Sequence, residues 1–260
     1  MSVIDVPLHA TLARNLAHDI PSMAPSVETD ASPDAGLGFH ICQTLQDVTD
    51  AWSVLYRVYL RTGFVAPNPF ELHTTHHALG RHTAVIQSRI GQIAVGTISA
   101  INDSPALLPL DSVYPNELAA LRSQGCKLIE VGLFGDRREG MERSFNTVLE
   151  LMRYTFYFGQ YSGATDFVCG IPPRRAKLYA HAFGFDIIGD LKSYETVQGN
   201  PVVLLRSNTA KAVANRNRHR AIDFFLRNPF DTTAFDSRFS FTPDEMAGSL
   251  LEQYAGTLSH

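Results

Sequence analysis

The sequence lacks the features that mark secreted, membrane-spanning or nucleic-acid-binding proteins. Its three cysteines are an odd number without metal-type spacing, so reduced thiols are predicted. No segment reaches the ~20 apolar residues of a membrane span, and the first residues lack the basic start and apolar run of a signal peptide. The net charge of −4 provides no general attraction to nucleic acid. We therefore predict a cytoplasmic protein with no nucleic-acid partner and no integral membrane association.

The sequence does contain enough apolar material for a core, together with both strand and helix patterns. Hydrophobic residues make up 45% of the 260 residues, which supports one large core or two small ones. Residues 1–37 are rich in proline, serine and alanine and predict a flexible N-terminal extension. Residues 38–208 mix strand and helix patterns, whereas residues 209–260 predict a helical C-terminal extension. The mixture predicts an α/β or α+β domain with one mixed sheet.

Residues 127–140 form the most informative stretch of the chain. An apolar strand carrying one carboxylate, Glu130, is followed by the loop Arg137-Arg138-Glu-Gly140 and then by a helical run. The first N–H groups of a helix are unpaired and its dipole favours anions, so a basic loop at this point suits a phosphate-bearing ligand. Arg137, Arg138 and Gly140 are the candidate phosphate ligands. The alternative is that the two arginines are solvated loop charges.

Glu130 is the candidate general base. Strand alternation places it on one face with Leu128, Gly132 and Phe134, among apolar side chains. Desolvation there disfavours the charged carboxylate, which raises its pKa toward neutrality and makes it a useful base. The alternative is an ion pair with a core arginine, for which Arg57 is the candidate; Arg57 is also a candidate substrate-binding residue.

The helix that follows the basic loop is apolar on nearly all sides, whereas a surface helix shows a narrower stripe. Phe145, Leu149 and Met152 therefore are candidates to line a tunnel for a long apolar chain of a ligand. The alternative is ordinary core between two layers.

The run His73-Thr-Thr-His-His77 suggests a metal site, but no cysteine or carboxylate stands at ligand spacing. We predict no metal, and interpret these as polar loop residues near a substrate.

Several stretches carry a resemblance to the GNAT acyltransferase superfamily. These are residues 56–64 with 67–69, 95–99 with 103–105, 108–115, 178–185 and 197–205. Within that superfamily the chain looks most like the long-chain N-acyl amino acid synthases and their relatives, the acyl-homoserine lactone autoinducer synthases. The resemblance implies a mixed, mostly antiparallel central sheet flanked by helices. It also implies an opening between the strand of Glu130 and the strand that begins at Asp166.

The resemblance implies roles for further residues. Gly132 lies where the superfamily interrupts its fourth strand, and a strand glycine often marks a bulge. The backbone around Leu133 and Phe134 would then bind the thioester carbonyl and the pantetheine amides. Tyr179 lies in the helix whose tyrosine protonates the departing thiolate in many members; a packed tyrosine is the alternative.

The phosphate loop departs from the superfamily pattern. Where that pattern ends Gly-x-Gly/Ala, the sequence here ends in Glu142. This difference argues against ordinary acetyl-coenzyme A binding and leaves room for an acyl-carrier-protein donor, in which only one phosphate of the phosphopantetheine must be held.

The implied function is an N-acyltransferase that moves a long-chain fatty acyl group from an acyl-carrier-protein or acyl-CoA thioester to the amine of an amino acid. The amine attacks directly, and the thioester is a co-substrate, with no permanently bound cofactor. Two alternatives remain: a short-chain acetyl-CoA-dependent acetyltransferase on a small amine, and a non-catalytic acyl-thioester-binding module with the same fold.

Overall fold

The computed structural model describes residues 36–138 and 145–258, and a mixed β-sheet forms its centre. The strands are β1 (Leu37–Ile41), β2 (Thr83–Ile90), β3 (Ile93–Asn102), β4 (Leu128–Asp136), β5 (Asp166–Ile171), β6 (Asp186–Ile187), β7 (Lys192–Tyr194) and β8 (Asn200–Asn208). They are ordered β1-β2-β3-β4-β5-β8-β6, and β7 also pairs with β8. Strands β4 and β5 run parallel, and the other paired strands of this sheet run antiparallel.

Helices cover both faces of this sheet. They are α1 (Leu45–Thr62), α2 (Pro115–Ser123), α3 (Phe145–Ser162), α4 (Ala176–Phe183), α5 (Thr209–Ala214), α6 (Arg220–Arg227), α7 (Pro243–Met246) and α8 (Leu250–Ala255). The predicted fold class, a mostly antiparallel sheet flanked by helices, is confirmed. Among the helices of residues 36–138 and 145–258, none is long and apolar enough to cross a membrane.

Helix α1 shows how local sequence sets these elements. Thr44 caps its start, and its hydroxyl and the Asp47 carboxylate accept hydrogen bonds from each other's backbone N–H groups. Gly63 ends the helix with a positive φ of 72°, a conformation in which glycine avoids the Cβ clash.

Two apolar cores lie on opposite faces of the sheet. One, beneath α1, contains Trp52 and Val168; the other, beneath α3, contains Ile129 and Phe156. Residues on one strand alternate between these cores because successive side chains point to opposite faces.

The C-terminal segment, residues 209–258, contributes side chains to both cores. Phe225 and Phe235 are buried in the α3-side core, whereas Phe239 and Phe241 are buried in the α1-side core. The Phe241 ring stacks on Trp52, with 5.4 Å between ring centroids. This segment is therefore packed into the body of the protein. The predicted flexible N-terminal extension, residues 1–37, lies almost wholly outside the described residues.

Candidate active site

Strands β4 and β5 are paired over only three residues. The pairs are Leu128 with Asp166, Ile129 with Phe167 and Glu130 with Val168. Beyond Glu130, β4 continues to Asp136 and β5 to Ile171 without further pairing between them. The opening that the resemblance implies is thus present, and it begins at the candidate base.

A β-bulge lies in the unpaired half of β4. Thr97 pairs with Gly135 and Ser99 with Gly132, so one residue of β3 faces two of β4, Leu133 and Phe134. Neither of these two has a partner in the registers with β3 or β5. Leu133 has a φ of 50°, a left-handed conformation that is strained for a non-glycine residue. The bulge that Gly132 predicts is confirmed.

The bulge changes the direction of one predicted side chain. Leu133 packs against the α1-side core, whereas Phe134 packs against the α3-side core. The prediction that Phe134 shares a face with Glu130 is therefore wrong. A bulge inserts one extra residue, and each single-residue shift along a strand reverses the face that the following side chains occupy.

Glu130 is 6% exposed, and its Oε2 accepts a hydrogen bond of 2.9 Å from the backbone N–H of Leu110. Burial raises the pKa of Glu130 to about 8; the Leu110 hydrogen bond lowers it, and the negative charge of Asp111 raises it. Gly170 allows this contact: a Cβ there would lie 2.6 Å from the Leu110 side chain. The segment containing Leu110 can therefore lie against β5 and reach the carboxyl group.

The alternative pairing of Glu130 with Arg57 is wrong. The Arg57 side chain is 56% exposed and pairs with Glu71 at 3.8 Å. Helix α1 presents Arg57 on its outer side, so its charge does not reach the buried carboxyl group. As a candidate substrate-binding residue, Arg57 also lies outside the set that lines the cavity at Glu130.

A cavity of about 110 Å³ reaches Glu130. Apart from the residues of β4, it is lined by α1 and the loop after it, by β3, by the segment before α2, by the end of β5, by β7 and the residues after it, and by the start of β8. Its hydrogen-bonding side chains besides Glu130 are those of Tyr59, His73, Thr75, Tyr194, Thr196 and Asn200.

Sequence reasoning missed Tyr194 and Asn200. Burial raises the pKa of the Tyr194 hydroxyl, and the charge of Glu130 raises it further. Both residues follow Glu130 by more than sixty positions; Tyr194 lies outside the stretches that carry the resemblance, and Asn200 lies within residues 197–205 but was given no role there. Only the placement of β7 and β8 brings them to the cavity.

Tyr179 packs within the α3-side core, where its ring lies 5.6 Å from Phe183 and 6.0 Å from Phe185, centroid to centroid. Burial raises the pKa of its hydroxyl, and negative charge on Cys169 or Tyr59 raises it further. Tyr59 lines the Glu130 cavity, so Tyr179 is near it without being part of its lining.

The two arginines of the predicted phosphate loop have different surroundings. Arg138 is 5% exposed, and its Nη2 lies 2.8 Å from Oδ2 of Asp136 and also donates to Thr147. Arg137 is half-buried and forms no ion pair with residues 36–138 or 145–258. Gly140, the third candidate, lies outside the described residues.

The candidate acyl-chain residues are packed core in this structure. Met152 is 5% exposed, and Phe145 and Leu149 pack against the same core; the Phe145 ring lies 6.1 Å from that of Phe183. A gap of about 20 Å³ beside Met152 is large enough for one water molecule. An acyl chain on this face would need side chains to move.

The histidine loop does not assemble a metal site within the described residues: no group of three or more His, Cys, Asp or Glu side chains is placed to hold an ion there. Burial lowers the pKa of His73 to about 4 and that of His77 to about 4. Both imidazoles are therefore neutral near pH 7.

A mixed sheet that opens beside a buried carboxyl group, with a β-bulge next to it, defines the class of the protein. It is a GNAT-type N-acyltransferase. The family described as N-acyl amino acid synthase FeeM matches residues 50–208, which is more than half of the chain. The protein belongs to this family.

Solved structures agree with this assignment. The structure of FeeM, an N-acyl amino acid synthase from uncultured soil microbes, has a TM-score of 0.62 and 25% sequence identity, covering 72% of this chain and 96% of that one. The AHL synthase LasI has a TM-score of 0.55 and 14% identity, covering 70% and 96%. BjaI, a CoA-dependent acyl-homoserine lactone synthase solved with SAM and isopentyl-CoA, has a TM-score of 0.52 and 15% identity, covering 77% and 99%. The last two share the fold. No curated protein matches the chain.

Proposed function

We propose that the protein transfers a long-chain acyl group from the phosphopantetheine thioester of an acyl carrier protein to the amine of an amino acid. Glu130 carries this proposal, because a buried carboxyl group stands where β4 and β5 part and faces the cavity. With a pKa raised to about 8, it takes up a proton more readily than an ordinary carboxylate does. Acyl transfer to an amine needs such a group.

The reaction proceeds by direct attack. The amine nitrogen bonds to the thioester carbonyl carbon, and Glu130 accepts the proton that the nitrogen loses. The backbone N–H groups of Leu133 and Phe134 stabilise the oxyanion, since the β4 registers leave both residues without a partner. The C–S bond then breaks, and Tyr179 protonates the departing thiolate.

The cysteines are poor candidates for an acyl-enzyme. Burial raises the pKa of the Cys169 thiol, and the negative charge of Glu130 raises it further. Burial also raises the pKa of Cys42 and of Cys126. A thiol becomes nucleophilic as its pKa is lowered, so these surroundings favour direct attack by the amine.

The donor is held at the carboxyl end of β4. Arg137 makes no ion pair with the described residues and supplies a guanidinium group for the phosphate of phosphopantetheine. Arg138 is already paired with Asp136 and keeps the end of β4 in place. Arg174, Arg175 and Lys177, in and before α4, add positive charge suited to an acidic carrier protein.

The functional unit comprises residues 38–208 as the acyltransferase domain, with residues 209–258 completing its two cores. Truncation after residue 208 would remove four buried phenylalanines, so we expect it to unfold the protein rather than yield an active domain.

A donor and acceptor matrix tests this function. Purified protein is incubated with acyl carrier protein or CoA thioesters of chain lengths from two to sixteen carbons and with the common amino acids, and products are identified by mass spectrometry. Long-chain N-acyl amino acids are expected, with the carrier-protein donor preferred. An acetylated small amine without any long-chain product would replace the proposal by the short-chain alternative. Thioester binding without any product would replace it by the binding module.

A further inference from the structure

Two polar side chains in the Glu130 cavity lack hydrogen-bond partners. His73 is 7% exposed, and its Nε2 is buried without a partner among the described residues; the same is true of the Thr75 hydroxyl. Both line the cavity. Leaving a buried polar group without a partner is costly, and most buried polar groups in folded proteins are hydrogen-bonded. The cavity is where a ligand would supply the missing bonds.

The loop that carries these two residues is fixed from both sides. The His73 backbone N–H donates to the Trp52 carbonyl at 3.3 Å, and the His73 ring lies 5.0 Å from the ring of Tyr59. On the other side, the Thr74 backbone N–H donates to the Tyr254 hydroxyl at 3.5 Å. The imidazole is therefore held in place before any ligand arrives, which lowers the ordering cost of binding.

The chemistry of the pair favours an oxygen atom as its partner. Burial lowers the pKa of His73 to about 4, so its ring is neutral and one of its nitrogens donates a hydrogen bond. The Thr75 hydroxyl donates as well. No lysine or arginine is among the described residues that line the cavity. A ligand oxygen is thus met by neutral donors rather than by a cation.

We propose that His73 and Thr75 recognise the acceptor by hydrogen bonds to an oxygen that it carries besides its amine, and so direct the amine at Glu130. This inference rests on the proposed N-acyltransferase function and adds the specificity-determining residues of its acceptor site. The oxygen belongs either to the acceptor's carboxylate or to a polar side chain, and the two sources are distinguished by the acceptors used in the test.

The test uses steady-state kinetics with the best amino acid acceptor and two analogues, its decarboxylated amine and the amino acid lacking the side-chain polar group. His73→Phe keeps a ring against Tyr59 but removes the nitrogens, and Thr75→Val keeps the shape but removes the hydroxyl. We expect each to raise the acceptor KM about tenfold or more and to leave the donor KM unchanged. The analogue that lacks the bound oxygen should be a poor acceptor for the wild type, and the difference between it and the full acceptor should shrink in both variants.

The same loop offers matched controls. Within residues 36–138 and 145–258, a buried nitrogen of His77, whose pKa is also lowered, and the buried hydroxyl of Thr74 likewise have no partner, but neither residue lines the cavity. His77→Phe and Thr74→Val should leave the acceptor KM within about twofold of wild type. His73→Gln, whose amide reaches toward the position of Nε2, should recover part of the lost acceptor affinity and serves if His73→Phe does not fold.

The possible outcomes distinguish a failure of this inference from a failure of the proposed N-acyltransferase function. If the wild type forms N-acyl product and folded variants of His73 and Thr75 keep its acceptor KM and its discrimination between analogues, the two residues do not recognise the acceptor. If the control variants lose acceptor affinity as strongly, the effect belongs to the loop as a whole and the inference is again wrong. If the wild type acylates no amine, the proposed function fails and this inference falls with it.

Discussion

The two halves of β4 differ in a way that explains the site. Ile129 and Glu130 are paired on both sides, with β3 and with β5, whereas the stretch from Val131 to Asp136 is paired with β3 alone and contains the bulge. The first half fixes the position of the carboxyl group. The second half leaves backbone groups and space for a substrate. Strand β4 thus has a fully paired first part and an open edge in its second part, and Glu130 is the last residue of the paired part.

The largest effect on activity is expected at Glu130, where the paired and open halves of β4 meet. Glu130→Gln should lower kcat by roughly 10²-fold or more, because an amide cannot accept the amine proton. Its carbonyl still accepts the Leu110 N–H bond, so the variant should fold, with a melting temperature close to that of the wild type below about pH 4.5, where Glu130 is also neutral. Turnover equal to wild type by a folded Glu130→Gln protein would remove Glu130 from the mechanism.

The next prediction contrasts two neighbours at the end of the open half. Arg138→Met should lower the free energy of unfolding by about 3 kcal/mol, because it removes the buried guanidinium group that pairs with the Asp136 carboxylate. Arg137→Met should change stability by less than about 0.5 kcal/mol and instead raise the KM for the acyl donor. Urea unfolding and donor titrations measure the two effects. If Arg137→Met is the destabilising variant, the roles assigned to the pair are reversed.

The pH dependence of activity tests whether the carboxyl group at the junction of the two halves of β4 is the base. The active base is the carboxylate form of Glu130, so kcat/KM should rise with an apparent pKa of about 8, by roughly tenfold between pH 7 and pH 9. Glu130→Gln should lack this rise. A profile in which wild type and variant rise in parallel would assign the titration to another group, such as the acceptor amine.

The same group makes stability depend on pH in the opposite direction. Its folded pKa of about 8 lies above the ordinary value of 4.5, so the folded state favours the protonated form. This contribution is complete below about pH 4.5 and is lost as the pH rises toward and through 8. The difference in melting temperature between wild type and Glu130→Gln should therefore change across this window, with the wild type losing stability relative to the variant.

The smallest effect is expected at Tyr179. Tyr179→Phe keeps the ring contacts with Phe183 and Phe185 and removes only the hydroxyl, so stability should change little. Thiol release should slow by less than about tenfold, since a thiolate is a good leaving group even without an acid. An unchanged rate would mean that Tyr179 is a packing residue only.

The sequence predicted the features that depend on neighbouring residues. The strand that carries Glu130 and the helix that follows the basic loop each follow from local apolar spacing. The bulge followed from one strand glycine, Gly132. The face of the sheet on which Phe134 lies was predicted wrongly, because the alternation of side chains along a regular strand was assumed to continue through the bulge. Arg138 was expected to bind phosphate, but in the structure it pairs with the carboxylate of Asp136, two residues earlier, which the sequence analysis did not consider.

The sequence alone determined that a carboxyl group would be surrounded by apolar side chains on a strand, followed by a basic loop and a helix, because periodicity and turn chemistry act over a few residues. Only the tertiary structure decided where β4 and β5 stop pairing, which distant residues meet at the cavity, and that the last fifty residues complete both cores. These features depend on contacts between residues far apart in the chain, such as Tyr254 with Thr74 or Asn200 near Glu130. Local spacing carries no information about such contacts, because they arise only when the sheet and its helices pack together.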